Sequence, residues 1–323
     1  MLQKGENMTN FQVYKKTLSF SLVMFLVGII SLVAMAGLMT GGYFIGDLIG
    51  LAIGFLIGIV LIILVNIFVN NRIKAAQIAM MTKGVVEGSL PERTFQEGFK
   101  EIKGRFGKIT AFFFITGAIK GVFRQLGRVI TGAGKAIGGQ AGESVASLID
   151  SAIQTLIGYL CDCCMGWILY RKEVDSFKAG CEGAVIFFKR GKTLLTNVGR
   201  IFGIGLVSFL LVGGAFTGIF YLVFNSNPTM FNSLSTTIYQ FLESGEGEIS
   251  PWMYDPAFLK FYISLIFGLI LWSSFHSVLV RPFILVGVLR NYMAAGQKEI
   301  PTEADFDELD RKSPKFAKLH NRI

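Results

Sequence analysis

Charge is scarce in this sequence. Only 16% of its 323 residues are Asp, Glu, Lys or Arg, against roughly a quarter in a soluble globular chain. Two histidines and four cysteines exclude a disulfide-stapled secreted domain and a multi-metal enzyme. Seven prolines exclude a proline-rich linker protein. A phosphate-binding P-loop, an H-E-x-x-H pair and a nucleophile elbow are all missing. Gly132-Ala133-Gly134-Lys135 has neither the spacing nor the strand context of a nucleotide loop. Neither an enzyme activity nor a cofactor or metal ion is therefore expected.

What fills the chain instead is apolar. Hydrophobic residues make up 52% of it, and the mean hydropathy is +0.55. Uncharged apolar runs exceed the roughly 20 residues that cross about 30 Å of hydrocarbon. The expected fold class is all-α: a polytopic helical membrane protein with about six transmembrane helices plus amphipathic interfacial helices. Spans are placed near 17–39, 45–69, 109–130, 147–169, 201–224 and 261–280, within a membrane domain of 1–296. A charged cytoplasmic tail, 297–323, follows. Two of the six, 109–130 and 147–169, are interrupted by charge, so an interfacial or re-entrant pair is the alternative reading there. The first run follows Lys15-Lys16, as a signal peptide would, but its core is too long for one and reads as a retained helix.

Thr40 to Phe44 reads as the turn between the first two spans. The second span carries Gly46, Gly50, Gly54 and Gly58 on one stripe, which lets another helix approach closely. A homodimer through this stripe is one expectation. Arg281-Pro282 ends or kinks the last span.

Orientation follows the positive-inside rule. Arg72 to Lys108 and Arg171 to Arg200 are rich in Lys and Arg, whereas Asn225 to Ala257 has acidic residues only. Both termini are then cytoplasmic, in a cell membrane. A net charge of +9 could suggest nucleic acid in a soluble chain. Here the cations flank apolar segments, so anionic lipid headgroups are the expected partner and nucleic acid is not. Phe95, Phe99, Ile102 and Phe106, beside Lys100, Lys103 and Arg105, predict an amphipathic helix lying on the inner leaflet. Cys181 to Arg200 reads similarly.

Asp150, Gln154, Gly158 and Asp162 recur at spacings of four on the fourth span. Ionisable groups within a span point by default to a functional pathway. Asp162 could line it, or could pair with Lys120 or Arg124 of the preceding segment, whose basic stripe Lys120, Arg124 and Arg128 shares one face. His276, with Ser273, Ser274 and Ser277, is a second polar cluster. Trp272, Phe275, Tyr159 and Trp167 could offer aromatic faces to a quaternary ammonium group. Cys161, Cys163 and Cys164 point in different directions along a helix, which suits packing better than a metal tetrahedron.

Several local patterns occur in a familiar order. Lys74-Ala75-Ala76-Gln77 is followed by Gly88-Ser89-Leu90-Pro91 and a basic amphipathic segment. Cys161 to Trp167 comes next, and then Cys181, Ala184, Phe188, Leu195, Asn197, Val198 and Arg200. Together these resemble the membrane half of the choline transporter-like family, in a shortened form. The resemblance covers roughly Lys74 to Met293 and implies passage of a small, choline-like cation. No binding residue is carried over with it. Two functions are thus open: a transporter or channel-like protein whose pathway uses Asp150, Gln154, Tyr159, Asp162, Trp272 and His276, or a non-transporting organiser that binds anionic lipid.

Overall fold

A computed structural model describes residues 8–105, 117–122, 125, 140–226, 229, 231–233, 235–236, 239 and 255–321. Of 48, 104–105, 140–154 and 191–202 it describes the backbone alone. Among the described residues the chain is helical, without a strand. Four helices are long and apolar enough to cross a membrane: α1 (Asn10–Asp47), α2 (Ile49–Val86), the stretch Gly203–Asn225 and α7 (Pro256–Lys298). The other helices are α3 (Thr94–Arg105), α4 (Gln140–Tyr170), α5 (Ser176–Ser208), α6 (Gly214–Asn225, which completes the third span), α8 (Glu303–Lys312) and α9 (Pro314–His320).

The chain divides into two compact units, Met1–Arg200 with Arg281–Ile323, and Ile201–Val280. The first unit opens with a capping box, in which the Thr9 side chain accepts from the backbone of Gln12 and Gln12 returns the bond. The α1–α2 reversal falls at Gly46 and Asp47, not at Thr40 to Phe44. Asp47 takes a positive φ of 50°, a conformation its short polar side chain tolerates. The glycine stripe then works within the chain. A Cβ on Gly50 would lie 1.9 Å from the Gly42 carbonyl oxygen, and one on Gly54 2.2 Å from that of Leu38. Gly58 faces Met35, whereas Gly46 belongs to the turn and meets nothing. Its own first span fills the stripe expected to receive a second copy.

Beyond the apolar part of α2 lies a π-turn, Asn66–Asn70. There the helix changes character. Ile73, Ala75 to Thr82 and Gly84 are buried on nearly every side, as in a core helix. This base packs against α1, α3, α4 and the Arg281–Lys298 end of α7. Close approach is possible because α4 offers Gly166, where a Cβ would sit 2.6 Å from Thr82 Oγ1. The Arg281–Lys298 segment also follows a π-turn, His276–Val280. Pro282 has no N–H to give to the turn before it, and such a widened turn is one way a helix absorbs that loss.

Two expectations of the sequence change here. Phe95 and Phe99 of α3 meet Phe20 of α1, with ring centroids 4.8 and 6.4 Å away, so the apolar face of this helix is covered by protein rather than lipid. Likewise Ala179, Cys181, Ala184, Val185 and Ile186 of α5 are buried. A stripe of apolar residues requires burial but does not choose between a bilayer and a neighbouring helix. Of the six spans, 109–130 lies mostly outside the described residues. The 147–169 segment belongs to α4, whose described apolar stretch Thr155–Tyr170 is short and buried from Leu156 to Leu169 except at Gly158 and Cys161.

The charged tail is folded as well. Phe306, Leu309, Phe316 and Leu319 are buried, and the acidic side of α8 docks on α5. Lys189 reaches Glu299 and Asp305 at 2.8 Å each, and Arg190 reaches Glu299 at 2.6 Å. The hydrogen bonds from Lys189 hold the Glu299 and Asp305 carboxyls below their usual range, and those carboxylates raise the Lys189 ammonium.

The second unit is an antiparallel hairpin of Gly203–Asn225 with the first part of α7. Asp255 caps that helix by accepting from Ala257 N, with Pro256 in its first turn. Gly268 lets Thr217 approach closely, and Phe267 meets Phe220 and Phe224.

Candidate functional site

The polar face expected on the fourth span is only partly within view, since the side chains of Asp150 and Gln154 lie outside the described residues. Asp162 is well defined. Its side chain is 9% exposed, and both oxygens are taken: Lys74 Nζ lies 2.6 Å from Oδ1, and Arg281 Nη2 donates to Oδ2 at 2.9 Å. Neither partner is the one the sequence suggested. Lys120 is described and exposed but makes no ion pair with Asp162, while Arg124 and Arg128 lie outside the described residues. Lys74 and Arg281 each follow the π-turn of their helix, which brings them to α4 at the same carboxylate.

Tyr159 completes the cluster. It lies one turn before Asp162 and is buried, with the Arg281 guanidinium over its ring at 5.5 Å from the centroid. Its hydroxyl has no hydrogen-bond partner among the described residues. One carboxylate faces two cations here, so the cluster carries an excess positive charge. Burying charge is costly unless it is paired. The Lys74 and Arg281 side chains remain 35% and 36% exposed, which keeps part of their hydration.

Deeper in the first unit, Glu182 is buried beneath Trp167 and Arg171. It accepts from Trp167 Nε1 at 2.9 Å, Arg171 Nε at 3.0 Å and Arg171 Nη2 at 3.1 Å. Three donors on one carboxylate satisfy it, and this set clamps α4 to α5. Beside it Tyr292 donates to the Gly183 carbonyl at 2.5 Å. No group of His, Cys, Asp and Glu suited to a metal occurs among the described residues. Sequence reasoning missed Glu182, Lys74 and Arg281 as site residues. Their signal was a carboxylate on an otherwise apolar helix face and two cations directly after apolar runs.

Trp272 and His276 belong to the second unit. Trp272 donates to Ser208 Oγ at 3.2 Å and meets Phe209 edge-on at 5.1 Å. The His276 ring lies 5.4 Å from Trp272. Asp162 and Tyr159 are in the first unit. The two halves of the expected pathway are therefore parts of separate compact units.

Compared with models of known families, with curated proteins and with solved structures, the chain matches none.

Proposed function

We propose that this chain is a membrane-anchored organiser that gathers anionic lipid at the inner surface of a cell membrane and carries no solute across it. One observation carries the reading: both oxygens of Asp162, the described carboxylate best suited to a solute pathway, are held by Lys74 and Arg281. A carboxylate already paired with two cations presents no net negative charge to a passing choline-like cation. Within the first unit, α1 and α2 bury only 6% and 11% of their apolar windows, which suits anchors. That unit concentrates its packing at the base of these helices, in a folded body with cations at the edge of the apolar arms. That arrangement favours a platform at the headgroups.

The test is flux. The purified chain reconstituted in vesicles should pass choline, potassium and protons no faster than protein-free vesicles do. Saturable uptake that disappears in Asp162→Asn, with the variant still inserted, would overturn the proposal and restore the transporter reading.

A further inference from the structure

We infer that Lys74 and Arg281, with Lys120 beside them, form a binding site for the phosphate of an anionic lipid headgroup. This rests on the organiser reading and names the place where the lipid is held.

Depth supports it first. From Ile49, where α2 begins after the turn, to the π-turn at Asn66–Asn70, the helix rises about 30 Å, the thickness of the hydrocarbon layer. Lys74 lies one turn further on, at the level where lipid phosphates sit. Exposed apolar side chains, such as Ile63, Leu64, Phe68 and Val69, run up to that level, and buried ones begin at Ile73.

Charge and donor geometry support it next. Asp162 neutralises one of its two cations, and Lys120 adds a further exposed one. The charges of Lys74, Lys120 and Arg281 all act on Cys161, the residue next to Asp162. An ammonium has three donors and a guanidinium five. Asp162 uses one Lys74–carboxylate contact and one Arg281 N–H, so most donors on both groups remain for a second anion. Guanidinium and ammonium groups with spare donors are well matched to phosphate oxygens.

The Tyr159 hydroxyl is the independent observation. A buried phenol is costly without a partner, and this one, which has none among the described residues, belongs to the ring beneath Arg281. An oxygen of a phosphate held by Arg281 would supply an acceptor. Asp162 then acts as a positioning residue, fixing Lys74 and Arg281 toward each other so that their remaining donors converge.

The experiment uses the full chain in nanodiscs of phosphatidylcholine, alone or mixed with phosphatidylglycerol. Lipid retained after detergent extraction is identified by mass spectrometry. Phosphatidylglycerol should be retained selectively, and each cation removed should lower its retention about fivefold, the effect of roughly one surface Lys or Arg contact. Lys120→Gln tests this without touching Asp162. Lys74→Gln removes a second cation while Asp162 stays paired with Arg281, so no buried charge is stranded and the variant should still fold. Selective phosphatidylglycerol retention that is equal in wild type and both variants would overturn the site while leaving the organiser reading intact, because the anionic lipid is then gathered elsewhere on the chain; no selective retention by wild type would overturn both. Displacement of the lipid by millimolar inorganic phosphate would also overturn the lipid site, marking a site for free phosphate instead.

Discussion

The α1–α2 arms and the body built on their bases use the same kind of helix for opposite purposes. From Leu22 to Val69 the arms expose large apolar residues, including Phe44, Ile45, Leu56 and Leu64, and approach each other along a seam of glycines. From Ile73 onward the same α2 helix buries small and medium side chains among α1, α3, α4 and α7. The arms are apolar because their surroundings are; the body is apolar because its neighbours are close. Hydropathy alone treats the two alike, and packing separates them.

The sharpest way to break that comparison is a pair of truncations. Trp167 is fully buried, whereas Leu56 is 62% exposed. Trp167→Ala should cost about 3–5 kcal/mol of stability by creating a cavity and removing the bond to Glu182. Leu56→Ala should change stability by less than about 0.5 kcal/mol, because its surroundings are lipid or detergent in either form. Denaturant unfolding in micelles measures both, and equal costs would mean that the arms are packed like the body.

A smaller effect should follow from Glu182→Ala. It strands the Trp167 indole N–H and leaves Arg171 without its chief partner, at a cost of about 2–3 kcal/mol. The lower end of the range for buried pairs applies because Arg171 retains some water and a second contact with Glu173. The same unfolding assay checks it, and a neutral result would show that α4 and α5 are not held together by this carboxylate.

The gentlest probe is pH acting on the docked tail. The carboxyls of Asp305 and Glu299 fall below their ordinary values of 3.8 and 4.5, so their contribution is complete above those values and is lost as pH falls through the lower folded ones. Lys189 is raised above 10.5, so its share is complete below that value and is lost as pH climbs through the higher folded one. Amide exchange in α8, corrected for intrinsic rates, should therefore be flat between about pH 5 and 10 and quicken on either side. Quickening near pH 7 would show that other groups hold the tail.

Much of the membrane portion was legible residue by residue. Partition into hydrocarbon is nearly a sum over neighbouring side chains, so runs of them announced α1, α2, the Gly203–Asn225 stretch and the first part of α7. The glycine register was legible too, since helical periodicity places every fourth residue on one stripe. Its partner was not: nothing local says whether Gly50 and Gly54 meet a second copy or residues Gly42 and Leu38 of the same chain. The body was hidden for a related reason. Phe95 and Phe99 show a face that must be covered, but Phe20 lies far back in the sequence, and lipid would serve the same periodicity.

The candidate site divides the same way. Asp162 drew notice by itself, because a carboxylate on an apolar helix is conspicuous wherever it sits. Its neutralisation by Lys74 and by Arg281, 119 residues further along the chain, was decided by folding alone. Local chemistry determined that this protein has membrane-spanning helices and where most of them begin. The assembly of α2, α4 and α7 decided what Asp162 can do, because Coulomb interactions act through space and take no account of separation along the chain.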